Sequence, residues 1–151
     1  SSDSLIPAQC SVLTDGIPVM EIKVKPKTYG PVFVHIDQQR TVFYGRDEAV
    51  IDKPSPPTNS PADTLLFALA ACIAISLHME AEKSRLTLDP FWVRAVCKKA
   101  QDLPNRFDRF EVSVPRSITD DHESAERLIK GAKSICTVSN TLDADVTLRL
   151  I

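Results

Sequence analysis

The sequence has little of what nucleic-acid-binding or zinc-binding proteins need. Its 18 basic and 20 acidic residues leave a formal charge of −2, so no basic excess is present to hold nucleic acid or an acidic membrane. None of its four cysteines forms a CxxC pair, and no histidine stands at metal-ligand spacing from them. We therefore predict no nucleic-acid partner, no membrane association and no metal.

Signals of other protein classes are also missing. No basic segment followed by an apolar stretch opens the sequence, so we expect no secretion signal and a cytoplasmic protein. The longest apolar run, Leu65 to Leu77, is too short to span a bilayer and predicts a buried helix. Phosphate-loop, serine-elbow and dinucleotide motifs are absent, so no cofactor is expected. The length of 151 residues predicts one domain, residues 1–151.

The first half of the chain alternates apolar and polar residues, as strands do. Met20, Ile22 and Val24 share one face, and the pattern resumes from Val32 to Ile36 and from Arg40 to Tyr44. Turn residues separate these runs. The pattern predicts an antiparallel meander, followed by a proline-rich loop over residues 45–60.

A long helix is predicted directly after this loop. Ser60 is a good N-cap, Pro61 suits the first helical position, and Asp63 falls three residues after the cap. Residues 65–83 are then apolar around the whole circumference for about four turns, so the helix must be covered on every side. Because a 151-residue monomer has little material to cover it, we predict a homodimer with paired helices.

The second half predicts two strands, a helix and a final strand. The strands run from Phe91 to Lys99, from Arg106 to Pro115 and from Asp145 to Ile151, and Asp120 is predicted to cap the helix. The apolar stripe of this helix has amphipathic spacing and consists of Ala125, Leu128, Ile129, Ala132, Ile135 and Cys136. This order of elements predicts an α+β fold.

Two cysteines are candidates for chemistry. Cys72 lies mid-helix among alanines, where a buried cysteine acting as a small hydrophobe is the simpler interpretation. No basic residue of its own helix lies beside it, so any charge that activates it must come from another segment or chain. Cys136 ends the apolar stripe and precedes polar residues 137–140, which leaves an accessible thiol and an ordinary core position both open.

The other cysteines and the histidines are given structural or incidental roles. Cys97 alternates with apolar residues and is expected in the core, whereas Cys10 lies in the opening loop. Among the histidines, we expect His35 to face solvent, His78 to be turned away from Cys72, and His122 to lie in the first turn of the second helix.

Two segments resemble the OsmC/Ohr family. Residues 60–77, SPADTLLFALAACIAISL, are similar to the family's helix with its peroxidatic cysteine, and residues 132–142, AKSICTVSNTL, to its second cysteine motif. Cys72 and Cys136 lie 64 positions apart, and the order of elements matches from about Met20 to Ile151. The resemblance implies an OsmC-like fold, with antiparallel sheets wrapped around central helices in an intertwined homodimer.

The resemblance also implies a thiol-dependent peroxidase that reduces organic hydroperoxides. Cys72 would attack the peroxide and become a sulfenic acid, and Cys136 would condense with it to a disulfide. A dithiol reductant would reopen the disulfide, and lipoyl groups serve some family members in this way. The alternative is a non-catalytic OsmC-like stress protein that binds a small apolar ligand or a partner.

This chain departs from the family pattern at the charged positions around the site. The Ohr and OsmC enzymes carry Glu where this chain has Ala62, and Asp63 follows, for which we favour a capping role. Nine helical residues place Asp63 about 13 Å from Cys72 and half a turn round, so the two share a site only across subunits or through an intermediary. No motif identifies the activating cation, for which the candidates are Lys27, Arg40 and Arg46.

Overall fold

The computed structural model describes residues 27–57 and 60–151. Five strands and two long helices make up most of this part of the chain. The elements are β1 (Thr28–Ile36), β2 (Val42–Gly45), α1 (Pro61–Lys83), β3 (Phe91–Lys99), β4 (Phe107–Val114), a 3₁₀ turn (Arg116–Ile118), α2 (His122–Ile135), the short α3 (Thr137–Thr141) and β5 (Asp145–Leu150). The strand predicted around Met20 and the loop with Cys10 lie outside the described residues.

The five strands form one sheet in the order β2-β1-β3-β4-β5. The first three pairs are antiparallel, and β4 and β5 are parallel. β4 and β5 are parallel because α2 connects them and returns the chain to the end of the sheet at which β4 begins. The predicted α+β class is confirmed.

The core lies between the sheet and α1. Val32, Val34 and Ile36 of β1 alternate toward it, as Val93 and Ala95 of β3 do, and all five are fully buried. The opposing residues of α1 are also fully buried and include Leu66, Leu69, Ile73 and Leu77. Because the side chains of a strand alternate between its two faces, every second residue of β1 and of β3 packs toward the apolar helix α1.

One stripe of α1 is not covered by residues 27–57 and 60–151 of its own chain. α1 has the length and hydropathy of a membrane-crossing helix, but most of it is buried in the fold, as the core helix of a soluble protein is. The exception is a stripe of small and apolar side chains, in which Ile75 is 39% and Met79 46% exposed. We call Ala68, Cys72, Ile75 and Met79 the α1 stripe.

The second helix differs from its prediction at both ends. Its N-cap is Asp121 rather than Asp120. The Asp121 carboxylate accepts two hydrogen bonds from Ser124, one from the backbone N–H at 3.2 Å and one from the side-chain hydroxyl at 2.7 Å. Ile135, predicted to be in the apolar stripe, is 37% exposed. It lies about 60° off the direction of Ala132, at the edge of the buried face.

Candidate active site

The fold brings Cys72 and Cys136 together. Cys72 lies halfway along α1, and Cys136 is the residue between α2 and α3, both of which pack against α1. The Cys136 thiol lies close enough to Cys72 for the two side chains to interact, and this interaction favours the protonated form of Cys136. Two thiols that are 64 positions apart in the sequence are therefore neighbours in the fold.

Cys136 is enclosed by this arrangement. It has no exposed surface, and its sulfur accepts the N–H of Ser139 at 3.4 Å, so it caps α3. Burial raises the pKa of Cys136 to about 12, the contact with Cys72 acts in the same direction, and the N–H groups of Ser139 and Val138 act against them. Cys136 is therefore a thiol at neutral pH. The sequence left its accessibility open, and the structure makes it a core position.

Cys72 differs from Cys136 in its access to solvent. It is half-buried and belongs to the α1 stripe, between Ala68 and Ile75. Cys72 therefore has surface that a small molecule can meet, whereas Cys136 has none.

An ion pair joins the first turn of α1 to the end of β2. The guanidinium of Arg46, which is half exposed, donates to the buried carboxylate of Asp63. Gly45, just before Arg46, lets the following loop pack closely against the end of β2, because a Cβ on it would lie 2.9 Å from Ile51 Cα. The sequence named both residues but gave no sign that they pair. Ser60 caps α1 as predicted, by accepting the N–H of Ala62 at 3.2 Å.

The other candidate cations lie elsewhere in the fold. Arg40 pairs with Glu82 at 3.0 Å near the C-terminal end of α1. Lys27 precedes β1, where its carbonyl accepts the N–H of Lys99 at 2.9 Å. Asp63 and Glu82 lie about 13 and 15 Å along the helix from Cys72. Within one chain, Arg46 and Arg40 are therefore held toward opposite ends of α1 and not beside the thiol.

The remaining candidates are structural. Cys97 is buried in the core as predicted, and burial, followed by the charge of Asp63, raises its pKa to about 11. His122 begins α2 as predicted. His35 is half-buried, with its ring 6.5 Å from Phe43, which corrects the expectation that it faces solvent. In the part of the chain that the structure describes, no three His, Cys, Asp or Glu residues are grouped to hold a metal ion.

Comparison with known proteins supports the resemblance to the OsmC/Ohr family that the sequence motifs indicated. A family model described as "OsmC-like protein" matches residues 54–151, about two thirds of the chain. No curated protein matches the sequence.

Solved structures of the same fold come from several bacteria. The organic hydroperoxide resistance protein OhrB of Bacillus subtilis is 20% identical, with a TM-score of 0.52 over 84% of this chain and 96% of that one. An organic hydroperoxide resistance protein OsmC of Legionella pneumophila is 15% identical, with a TM-score of 0.54 over 87% of this chain and 98% of that one. An OsmC-like protein of unknown function from Vibrio cholerae is 12% identical, with a TM-score of 0.53 over 87% and 100%. This chain belongs to the OsmC-like protein family.

Proposed function

We propose that the protein is a two-cysteine thiol peroxidase that reduces organic hydroperoxides. The observation that carries the proposal is the proximity of a partly exposed cysteine, Cys72, to a fully buried one, Cys136, with which it interacts. An exposed cysteine with a buried thiol behind it has the arrangement that a peroxidatic and a resolving cysteine need. Two proteins of similar structure, from Bacillus subtilis and Legionella pneumophila, are organic hydroperoxide resistance proteins, which supports the same class of substrate.

The proposed reaction has three steps. The Cys72 thiolate attacks the distal oxygen of the hydroperoxide, the O–O bond breaks, and the alkoxide takes a proton and leaves as an alcohol. The Cys136 thiol then attacks the Cys72 sulfenic acid, so that an S–S bond forms, the S–O bond breaks and water leaves. A dithiol, such as a lipoyl group, reduces this disulfide and is itself oxidised to a disulfide. The apolar α1 stripe suits a peroxide with an apolar substituent.

The test measures both turnover and the disulfide. Reduction of cumene hydroperoxide with dihydrolipoamide should be at least a hundredfold slower in Cys72→Ser than in the wild type. One equivalent of peroxide should join Cys72 and Cys136, as shown by peptide mapping with mass spectrometry. Cys97→Ser is the control, because Cys97 is buried in the core and outside the thiol pair. The proposal fails if the wild type is no faster than Cys72→Ser.

We also propose that Arg46 is the cation that activates Cys72, acting across a homodimer. Its guanidinium is already held by the Asp63 carboxylate, and its planar fork can bind a carboxylate and a thiolate together, which a lysine cannot do. The distance of about 13 Å along α1 prevents this pair from serving the Cys72 of its own chain. A second chain packed on the α1 stripe would bring the pair to the other thiol.

This assignment is tested by a double-mutant cycle. Arg46→Ala and Asp63→Asn should each lower the peroxidase rate by at least tenfold, and the double variant should be no slower than Arg46→Ala alone. Arg40→Ala is the matched control, since Arg40 pairs with Glu82 instead. Equal losses in Arg40→Ala and Arg46→Ala would contradict a specific role for Arg46.

The second candidate function is a non-catalytic OsmC-like stress protein. The wide separation of Arg46 and Cys72 within one chain favours it, because a thiol without a nearby cation is a weak nucleophile. In that case, Cys72 should resist alkylation by iodoacetamide at neutral pH in the native protein. For either function, we propose a soluble cytoplasmic protein of one domain.

A further inference from the structure

A cavity lies at the C-terminal end of α1, away from the two cysteines. Its volume is about 390 Å³, which is within the range of small-molecule sites. Its wall includes Arg40 from the β1–β2 turn, His78 and Glu82 from α1, and Arg85 from the turn after α1. His78 lies about 9 Å along the helix from Cys72, so the cavity does not depend on the proposed peroxidase function.

Arg85 occupies a backbone position that normally belongs to glycine. The N–H of Leu86 bonds to the carbonyl of Ala81 at 2.8 Å and that of Arg85 to the carbonyl of Glu82 at 3.1 Å, which is the Schellman pattern of a helix end. In this pattern, Arg85 has a φ of +58°, where a side chain is unfavourable. An arginine here costs stability that glycine would not.

Arg40 repeats this exception in another turn. The Asp37 carboxylate accepts the N–H groups of Gln39 at 2.9 Å and Thr41 at 2.8 Å, and the turn leaves Arg40 with a φ of +65°. Glycine or asparagine is the usual residue at such a position of a hairpin. Two arginines in unfavourable conformations thus border one cavity. Where local preference is broken twice at one place, a use for the side chains is the natural explanation.

His78 adds an unsatisfied polar atom to the same wall. Its side chain is stacked on Phe91 with ring centroids 5.7 Å apart, and the residue is only 8% exposed. Its Nε2 is buried without a hydrogen-bond partner among the described residues. Because buried polar groups in folded proteins nearly always have partners, this atom calls for a partner that the described residues do not supply.

The charges of the wall specify the kind of ligand. Arg40 is paired with Glu82 at 3.0 Å, whereas Arg85 has no ion-pair partner in residues 27–57 and 60–151. Two arginines and one glutamate leave one positive charge in excess. Burial, followed by the charge of Arg40, lowers the pKa of His78, and Asp37 acts in the opposite direction. His78 is therefore neutral near pH 7 and can donate to an oxygen.

We propose that this cavity is a binding site for a small molecule with an oxoanion group. Arg85 and Arg40 hold the carboxylate or phosphate oxygens by bidentate hydrogen bonds, and His78 is the neutral hydrogen-bond partner in the wall. The site is separate from Cys72, so its ligand is not the peroxide.

The test replaces Arg85 by glycine, the residue that best suits its positive φ. Isothermal titration calorimetry with inorganic phosphate and with succinate should show saturable binding of at least one, with a dissociation constant in the millimolar range or tighter. The same probe should shift the His78 imidazole resonances in NMR spectra. Arg85→Gly should weaken binding at least tenfold while the Tm stays equal or rises, since glycine relieves the backbone at φ +58°.

The controls separate a built site from general electrostatics. Lys83→Ala removes one positive charge from the same end of α1 but lies outside the cavity wall, so it should change the affinity less than twofold. Cys72→Ser should bind as the wild type does, whether or not it has lost peroxidase activity. Failure of both probes to bind the wild type, or an equal loss of affinity in Lys83→Ala and Arg85→Gly, would overturn the proposal.

Discussion

At the scale of single residues, burial separates the roles of the cysteines. Cys72 is half-exposed, whereas Cys97 and Cys136 are almost completely enclosed. Burial disfavours a thiolate because the charge would lose its hydration, and it is the main cause of the raised pKa of both enclosed thiols. Of these three cysteines, Cys72 is thus the one that a peroxide can meet first.

The raised pKa of Cys97 predicts a loss of stability in alkali. The unfolded thiol ionises near its ordinary value of 9.0 and the folded one near 11, so the folded state keeps a proton that the unfolded state releases. The stabilisation is complete below pH 9 and is lost as the pH rises to about 11, by up to about 1.4 kcal/mol per pH unit. Urea unfolding at pH 8 and pH 10 measures it.

Cys97→Ala is the comparison for this prediction. It lowers stability at both pH values because it removes buried atoms, but its free energy of unfolding should fall less between pH 8 and pH 10 than that of the wild type. Parallel decreases in the two proteins would show that Cys97 does not carry the effect.

At the scale of elements, α1 has one face buried in the core and one face that the described residues leave partly exposed to solvent. Ile73 is fully buried, whereas Ile75, two residues further along the same helix, is 39% exposed. These two isoleucines allow the same substitution, to alanine, to be compared in one helix with an equal gain in helical propensity.

Ile73→Ala should therefore lower the free energy of unfolding by about 2–5 kcal/mol, because it opens a cavity in the core. Ile75→Ala should cost less than about 1 kcal/mol when the protein is dilute and monomeric. Chemical denaturation at low micromolar concentration compares the two. An equal loss of stability would mean that Ile75 is as buried as Ile73 under those conditions.

At the scale of the whole molecule, the α1 stripe predicts self-association. Met79 and Ile75 expose apolar surface on a helix that carries the proposed catalytic thiol, and a second copy would bury this surface. Ile75→Glu should convert a dimer to a monomer, as measured by size-exclusion chromatography with light scattering, and should lower peroxidase activity with it.

Val50→Glu is the control for this prediction. Val50 is also an exposed apolar residue, at 51%, but it lies in the loop after β2 and not on the α1 stripe. It should leave the mass in solution unchanged. A wild-type protein that is monomeric at micromolar concentration would contradict both the dimer and the proposed role of Arg46.

The elements and their order were largely determined by local sequence. The predicted strand from Phe91 to Lys99 has the same bounds as β3, and α1 begins after its predicted cap. Alternation and capping are properties of neighbouring residues, so they can be recognised without the fold. The prediction missed by one residue at Asp121, because Asp120 and Asp121 are both capable caps and only the backbone geometry distinguishes them.

The sequence by itself also determined the two cysteines as candidates, through the motifs around them. Only the tertiary structure decided that they are neighbours, since their proximity depends on how α2 and α3 pack against α1. The same holds for the pair of Arg46 with Asp63 and for the meeting of Arg40, His78 and Arg85 at one cavity. Local propensity acts over a few residues, whereas these contacts are formed by the packing of the core.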